Sequence, residues 1–165
     1  SNIKEAIDLL INARRIFFFG FGASGIVAED SELKFKRINY NAEALIDNHR
    51  QKTMASLLSA EDLVVAISDS GRTKELMESL HIAKNAGAKI MAITSNMGSP
   101  VTEISDTVLL TSSKETPFRG SALASRMAQL AVIDVLFLGA AADKYDQTLE
   151  ALDKTRVVMQ DSRIK

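Results

Sequence analysis

The sequence has no cysteine, no tryptophan, two histidines and two prolines in 165 residues. The absence of cysteine excludes disulfides, thiolate metal sites and cysteine nucleophiles together. His49 and His81 alone are too few for a histidine-built metal centre. An excess of one charge is missing too: 20 Lys and Arg stand against 21 Asp and Glu, for a net charge of −1 and a pI of about 6.1. A surface that grips nucleic acid carries a basic excess, so this stretch of chain is not expected to touch DNA itself. A long uncharged hydrophobic run is also lacking. The longest apolar stretch, 131–142, carries Asp134 and is shorter than the roughly 20 residues a bilayer crossing takes. No signal-peptide pattern opens the chain. These absences lead to the expectation of a cytoplasmic protein with no membrane partner, no metal and no cofactor.

What is present points to one compact domain. With 46% hydrophobic and 25% charged residues, the chain has the makings of a single core. Short apolar runs at 16–19, 63–67, 90–93 and 108–110, with a weaker one at 40–45, read as strands. Helical spacing fills the intervals. Leu76, Leu80 and Ala83 recur at i, i+4 and i+7, and Gly87 stands where a C-terminal cap belongs. This alternation predicts right-handed βαβ units and a parallel sheet covered on both faces. Further on, Thr116 and Pro117 read as the cap and first turn of a long helix running to about Ala142. From Met127 onward that helix is apolar on most sides, which predicts burial in the core or in a subunit interface. An amphipathic helix with Leu149, Leu152 and Val157 follows.

Two strands end in small, hydroxyl-rich turns: Gly20-Phe21-Gly22-Ala23-Ser24-Gly25 after the first, and Ser68-Asp69-Ser70-Gly71-Arg72-Thr73 after the 63–67 strand. In an open parallel sheet, ligands bind outside the C-terminal strand ends. Gly71 admits a close backbone approach, and Ser68, Ser70 and Thr73 supply hydroxyl donors. A helix begins directly after, and its free N–H groups favour an anion. Hydroxyls and amides without a metal describe a phosphate cradle. The first turn also fits G-x-G-x-x-G through Gly20, Gly22 and Gly25, with Glu43 near the place of a ribose-binding acid. A dinucleotide site leaves Ser24 and the second hydroxyl cluster without a role. There is no Walker P-loop, and Ser24 stands in G-x-S-G rather than in a nucleophile elbow. His81 reads as a surface histidine and His49 as a solvated helix start. Lys114 and Glu115 follow the last strand on the same edge, where they serve either helix entry or a sugar hydroxyl.

The run 20–25, the segment 66–75, and Ala92-Ile93-Thr94-Ser95-Asn96 followed by Ser99-Pro100 resemble the sugar isomerase (SIS) domain. Ser125-Arg126-Met127-Ala128-Gln129-Leu130 with Ile133-Asp134 resembles in particular the RpiR family of bacterial transcriptional regulators. The resemblance implies a flavodoxin-like three-layer αβα sandwich on a five-stranded parallel sheet, assembled as a homodimer or tetramer and binding a sugar phosphate. It implies phosphate contacts from Ser24, Ser68, Ser70 and Thr73. Gly22, Ala23 and Gly71 join them through their backbone, and Glu115 is the candidate for the sugar. It further implies an N-terminal helix-turn-helix domain, through which alone DNA is bound. The chain opens Ser1-Asn2 without Met, a start that reads as the remnant of a removed tag. Residues 1–165 are therefore expected to be one SIS domain taken from a longer protein. The runner-up is a sugar-phosphate isomerase. Arabinose-5-phosphate isomerase relatives carry a Glu and a His-Gly step after the second strand, where this chain reads Asp47-Asn48-His49-Arg50-Gln51. Glu115 is then the one carboxylate to nominate as a base.

Overall fold

A computed structural model describes residues 2–112 and 123–161. Helix α1 (Asn2–Asn12) leads into β1 (Arg15–Phe19), α2 (Gly22–Arg37), β2 (Ala42–Leu45), α3 (Asn48–Ala55) and β3 (Asp62–Ile67). Then come α4 (Lys74–Asn85), β4 (Lys89–Thr94), α5 (Pro100–Ile104), β5 (Thr107–Leu110), α6 (Leu123–Asp143) and α7 (Tyr145–Asp161). All five strands are parallel, in the order β2-β1-β3-β4-β5. This is the flavodoxin-like order, with its topological switch at β1.

Side-chain alternation divides the core between the two faces of the sheet. Phe18, Val65, Met91 and Leu109 face α1, α2 and α6 through Leu10, Phe35 and Ile133. Phe17, Phe19, Val64 and Ala92 face α3, α4 and α5 through Ala55, Leu80 and Val101. The unbroken apolar run of β3 is explained by this burial on both sides, as every residue of the strand is buried. Phe18, Tyr40 and Phe137 pack around Phe35 with ring centroids 5.5, 5.6 and 5.9 Å away. Each such ring contributes roughly 1.5–3 kcal/mol by leaving water. Leu76, Leu80 and Ala83 form the buried face of α4. Gly87 closes that helix in the left-handed region at φ +95°. Its N–H donates to the Lys84 carbonyl at 2.9 Å and the Ala88 N–H to Ala83 at 3.1 Å, a Schellman ending that favours glycine.

The N-terminal edge of the sheet is held by charge. Asp62 is 1% exposed, and Arg15 and Arg14 both donate to it, at 2.8 and 3.0 Å. The Ser59 N–H adds a third donor at 2.9 Å. Burial alone would raise the Asp62 carboxyl, but these donors outweigh it and hold the group well below the usual carboxylate range. Asp106 does the same work between β4 and β5, accepting from the Ile90 N–H at 2.8 Å and pairing with Lys84 at 3.0 Å.

The helix expected from Thr116 to about Ala142 is seen as α6, Leu123–Asp143; Thr116 and Pro117 lie outside the described residues. It is longer than the apolar run read from sequence, and by length and hydropathy α6 is the one helix among the described residues that could cross a membrane. It packs on the sheet through Ile133, Leu136 and Ala140, which are buried. Burial covers one face only: Leu123, Met127, Val135 and Leu138 stay exposed. In α7, Leu149 and Val157 are exposed and Leu152 is half-buried.

Candidate functional site

The two hydroxyl-rich turns leave neighbouring strands, since β1 and β3 pair from Arg15↔Asp62 to Phe19↔Ala66. From β1 the chain crosses to β2 through α2 on one face. From β3 it crosses to β4 through α4 on the other. The C-terminal edge between these diverging connections is the switch point of the sheet, the place where ligands bind in open α/β folds.

Ser68 is buried, and its Oγ accepts from the Gly71 N–H at 3.1 Å. Ser70 is exposed and accepts from the Arg72 N–H at 3.2 Å. Both hydroxyl protons are therefore available to an acceptor outside the loop. Gly71 adopts φ +64°, and a Cβ there would lie 2.1 Å from Ser99 Oγ and 2.7 Å from Ser99 Cβ, so glycine is required. Thr73 is the N-cap residue of α4, yet its side chain makes no capping bond. On α2 the N-cap is Phe21, again with no side-chain cap. The first N–H groups of both helices, including those of Gly22, Ala23 and Ser24, thus lack the usual hydroxyl or carboxylate partner. Two helix starts without a side-chain cap, with serine and threonine beside them, can receive an anion.

β4 braces this loop. Thr94 Oγ1 and Ser95 Oγ donate to the Asp69 carbonyl at 2.9 and 3.0 Å, and Asn96 Nδ2 to the Ser70 carbonyl at 3.2 Å. Ser24, in the first turn of α2, lies 3.2 Å from Nε2 and 3.4 Å from Oε1 of Gln129 on α6. These braces were not assigned from sequence, although 92–96 stood within a recognised segment. Gln129 carried a signal, being a polar residue inside a long apolar helix. Five buried side-chain oxygens without a hydrogen-bond partner among the described residues belong to this edge: Asn48 Oδ1, Gln51 Oε1, Asp69 Oδ1, Ser99 Oγ and Thr111 Oγ1. Unsatisfied polar atoms are uncommon in cores, and these are gathered at the strand ends where ligands bind in open sheets.

The remaining candidates fall elsewhere. Glu43 is inside β2, and its carboxylate accepts from Arg50 at 2.9 Å, an occupation that does not suit a ribose-binding acid. His49 and His81 are exposed. Lys114 and Glu115 lie outside the described residues. Among the described residues no three His, Cys, Asp or Glu side chains gather to hold a metal ion. A concavity of about 600 Å³ opens at the opposite edge, between α2 and α7, with Arg14, Lys36, Lys144 and Lys154 in its lining. Four of its five cations are engaged: Arg14 by Asp62, Lys36 by Glu32, Lys154 by Glu150, while Lys144 lies 5.2 Å over the Tyr40 ring. The fifth, Arg37, is exposed on the groove wall.

The SIS domain signature matches residues 9–139, a span that includes both turns and their braces. The chain belongs to the SIS domain family. This SIS domain is 41% identical over 164 residues to the uncharacterized HTH-type transcriptional regulator YbbH of Bacillus subtilis, covering 99% of this chain and 58% of that protein. The chain thus spans somewhat more than half the length of that relative. Among solved structures it resembles the Vibrio vulnificus NanR protein complexed with ManNAc-6P, at TM-score 0.90 and 27% identity, covering 99% of this chain and 62% of that one. It shares its fold with the sugar isomerase domain of the RpiR transcription factor from Sphaerobacter thermophilus, at TM-score 0.84 and 20% identity, covering 94% and 85%.

Proposed function

We propose that this SIS domain is the phosphosugar-sensing effector domain of a bacterial transcriptional regulator of the RpiR type. The observation that carries the reading is the pair of uncapped helix starts beside Ser24, Ser68, Ser70 and Thr73 at the β1/β3 crevice. In this reading those four side chains and the backbone at Gly22, Ala23 and Gly71 hold the phosphate, and Glu115 meets the sugar. The NanR likeness supports a sugar phosphate as the ligand. The HTH-type relative supports a DNA-binding domain N-terminal to this one, through which the regulator works on DNA in the cytoplasm.

The proposed regulator is a dimer. Its two-fold contact is built on the exposed side of α6 with the β5 edge, where Ile3, Val108, Leu110, Ala131 and Val135 line an apolar groove of about 380 Å³. A second copy of the same surface is the occupant that a closed two-fold assembly supplies.

The second reading, a sugar-phosphate isomerase, requires a base placed to move a proton between adjacent carbons. Asp47, in the region where the arabinose-5-phosphate isomerase relatives carry their Glu and His-Gly step, is occupied in capping α3, accepting from the Arg50 N–H at 3.0 Å. A thermal-shift screen separates the outcomes. A phosphosugar at a hundred times its dissociation constant adds about 2.7 kcal/mol of stability, and its dephosphorylated sugar adds none. Equal shifts by both would remove the phosphate from the reading. Turnover in a coupled aldose–ketose assay, lost in Glu115→Gln, would establish the isomerase instead.

A further inference from the structure

We propose that Gln129 is a positioning residue that transmits occupancy of the phosphate cradle to α6, the helix carrying the exposed apolar stripe. The inference rests on Ser24 contacting the phosphate, as proposed above. It adds the route by which that contact leaves the site.

Gln129 is 1% exposed and lies on the inner face of α6 with Ile133, Leu136 and Ala140. A buried primary amide brings two donors and an acceptor out of water and is costly there unless paired. This one straddles the Ser24 hydroxyl, with Nε2 at 3.2 Å and Oε1 at 3.4 Å. A hydroxyl has one proton, so two arrangements compete. In one, Ser24 donates to Oε1; in the other, Ser24 accepts from Nε2 and its proton is free. An anion that takes the Ser24 proton leaves only the second. Both distances are at the long end for hydrogen bonds, and a hydroxyl polarised by an anion is a better acceptor. Ligand therefore selects one amide arrangement and tightens the α2–α6 contact at that point.

A second tie joins the same helices, since Lys34 of α2 pairs with Asp134 of α6. Tightening at Gln129 against that tie turns α6 as a rod. Met127, Val135 and Leu138 are on its solvent side, so whatever packs there feels the change. A ligand shifts an equilibrium only through a difference in its contacts between states. The Ser24–Gln129 pair supplies such a difference.

Hydrogen exchange read by mass spectrometry tests this, with N-acetylmannosamine 6-phosphate, glucose 6-phosphate and inorganic phosphate as probes. For the unmodified chain we expect slowed exchange in two regions, the loop 68–76 and α6 over 123–138. In Gln129→Leu, of similar shape, the loop remains protected, affinity falls less than tenfold, and protection of α6 is lost. In Gln129→Glu the carboxylate holds the Ser24 proton and repels the anion, so affinity falls more than tenfold. Melting of each variant checks folding, and the Glu variant decides if the Leu variant does not fold. Undiminished α6 protection in Gln129→Leu, or equal affinity losses in the two variants, would overturn the proposal. Failure of the phosphate reading looks different: no probe protects 68–76 in the unmodified chain, and the inference falls with it.

Discussion

The two edges of this one sheet are built from opposite chemistry. At the N-terminal edge, Asp62 and Asp106 are surrounded by donors, with Arg14, Arg15 and the Ser59 N–H on one and Lys84 and the Ile90 N–H on the other. At the C-terminal edge, the starts of α2 and α4 have no side-chain cap, and buried oxygens lack partners among the described residues. Paired charge at one end fixes the strands. At the other, helix N–H groups and serine and threonine hydroxyls can still meet a ligand. Substitutions at the first edge should therefore cost stability and spare binding, and substitutions of those ligand-facing groups at the second should do the reverse.

The strongest test of that division is Asp62→Asn, which leaves two guanidinium groups facing a neutral amide. We expect a loss of about 2 kcal/mol by urea unfolding, below the scale for a fully buried pair because both arginines are partly exposed, with the thermal shift given by a phosphosugar unchanged. A lost shift would mean the edges are not separable. The same pairing sets the acid limit. The Asp62 and Asp106 carboxyls titrate below their ordinary range in the folded state, so their contribution is present above the unfolded value of about 4. It disappears as pH falls through the lowered folded values. The urea midpoint should hold between pH 5 and 8 as far as these groups determine it and drop below pH 4, with a shallower drop in Asp62→Asn.

Gly71→Ala lies between the two kinds of effect. The left-handed backbone and the 2.7 Å approach to Ser99 Cβ should cost about 2 kcal/mol. Because the strain falls on the loop that presents Ser68 and Ser70, phosphosugar binding should be lost as well. Retained affinity in a destabilised Gly71→Ala would show that the loop only packs against α5.

Much of this fold was legible in the sequence because the strands announce themselves by apolar runs and the helices by their spacing. The weak run at 40–45 is β2, an edge strand with Glu43 inside it, where pattern alone is thin. The strand order came from the resemblance and not from periodicity, which says nothing about neighbours. Ser24, Ser68, Ser70 and Thr73 could be picked out because turn chemistry is local. Asn96 and Gln129 could not be given roles, because Ser70 is 26 positions from the first and Ser24 is 105 from the second. The all-round apolarity of α6 pointed to burial, and it hid both the amide on the inner face and the open outer stripe.

The finest test stays within the C-terminal edge and compares two N-cap residues, one bonded and one not. Asp47 is a working cap, with its carboxylate accepting from the Arg50 N–H at 3.0 Å. Thr73 occupies the same position on α4 and makes no such bond. Removing a working cap costs about 1 kcal/mol, and that is the expected loss in Asp47→Ala, with phosphosugar affinity unchanged. Thr73→Ala removes no bond from the folded chain, so its stability should stay within about 0.5 kcal/mol of the unmodified chain, the usual range for substitutions that break nothing. If its hydroxyl is reserved for a charged acceptor, affinity should instead fall about tenfold, since hydrogen bonds to charged groups contribute roughly 1.5–3 kcal/mol. Urea unfolding and a binding titration on the two variants give four numbers. A Thr73→Ala variant that loses as much stability as Asp47→Ala and binds as before would make Thr73 an ordinary cap and take it out of the site.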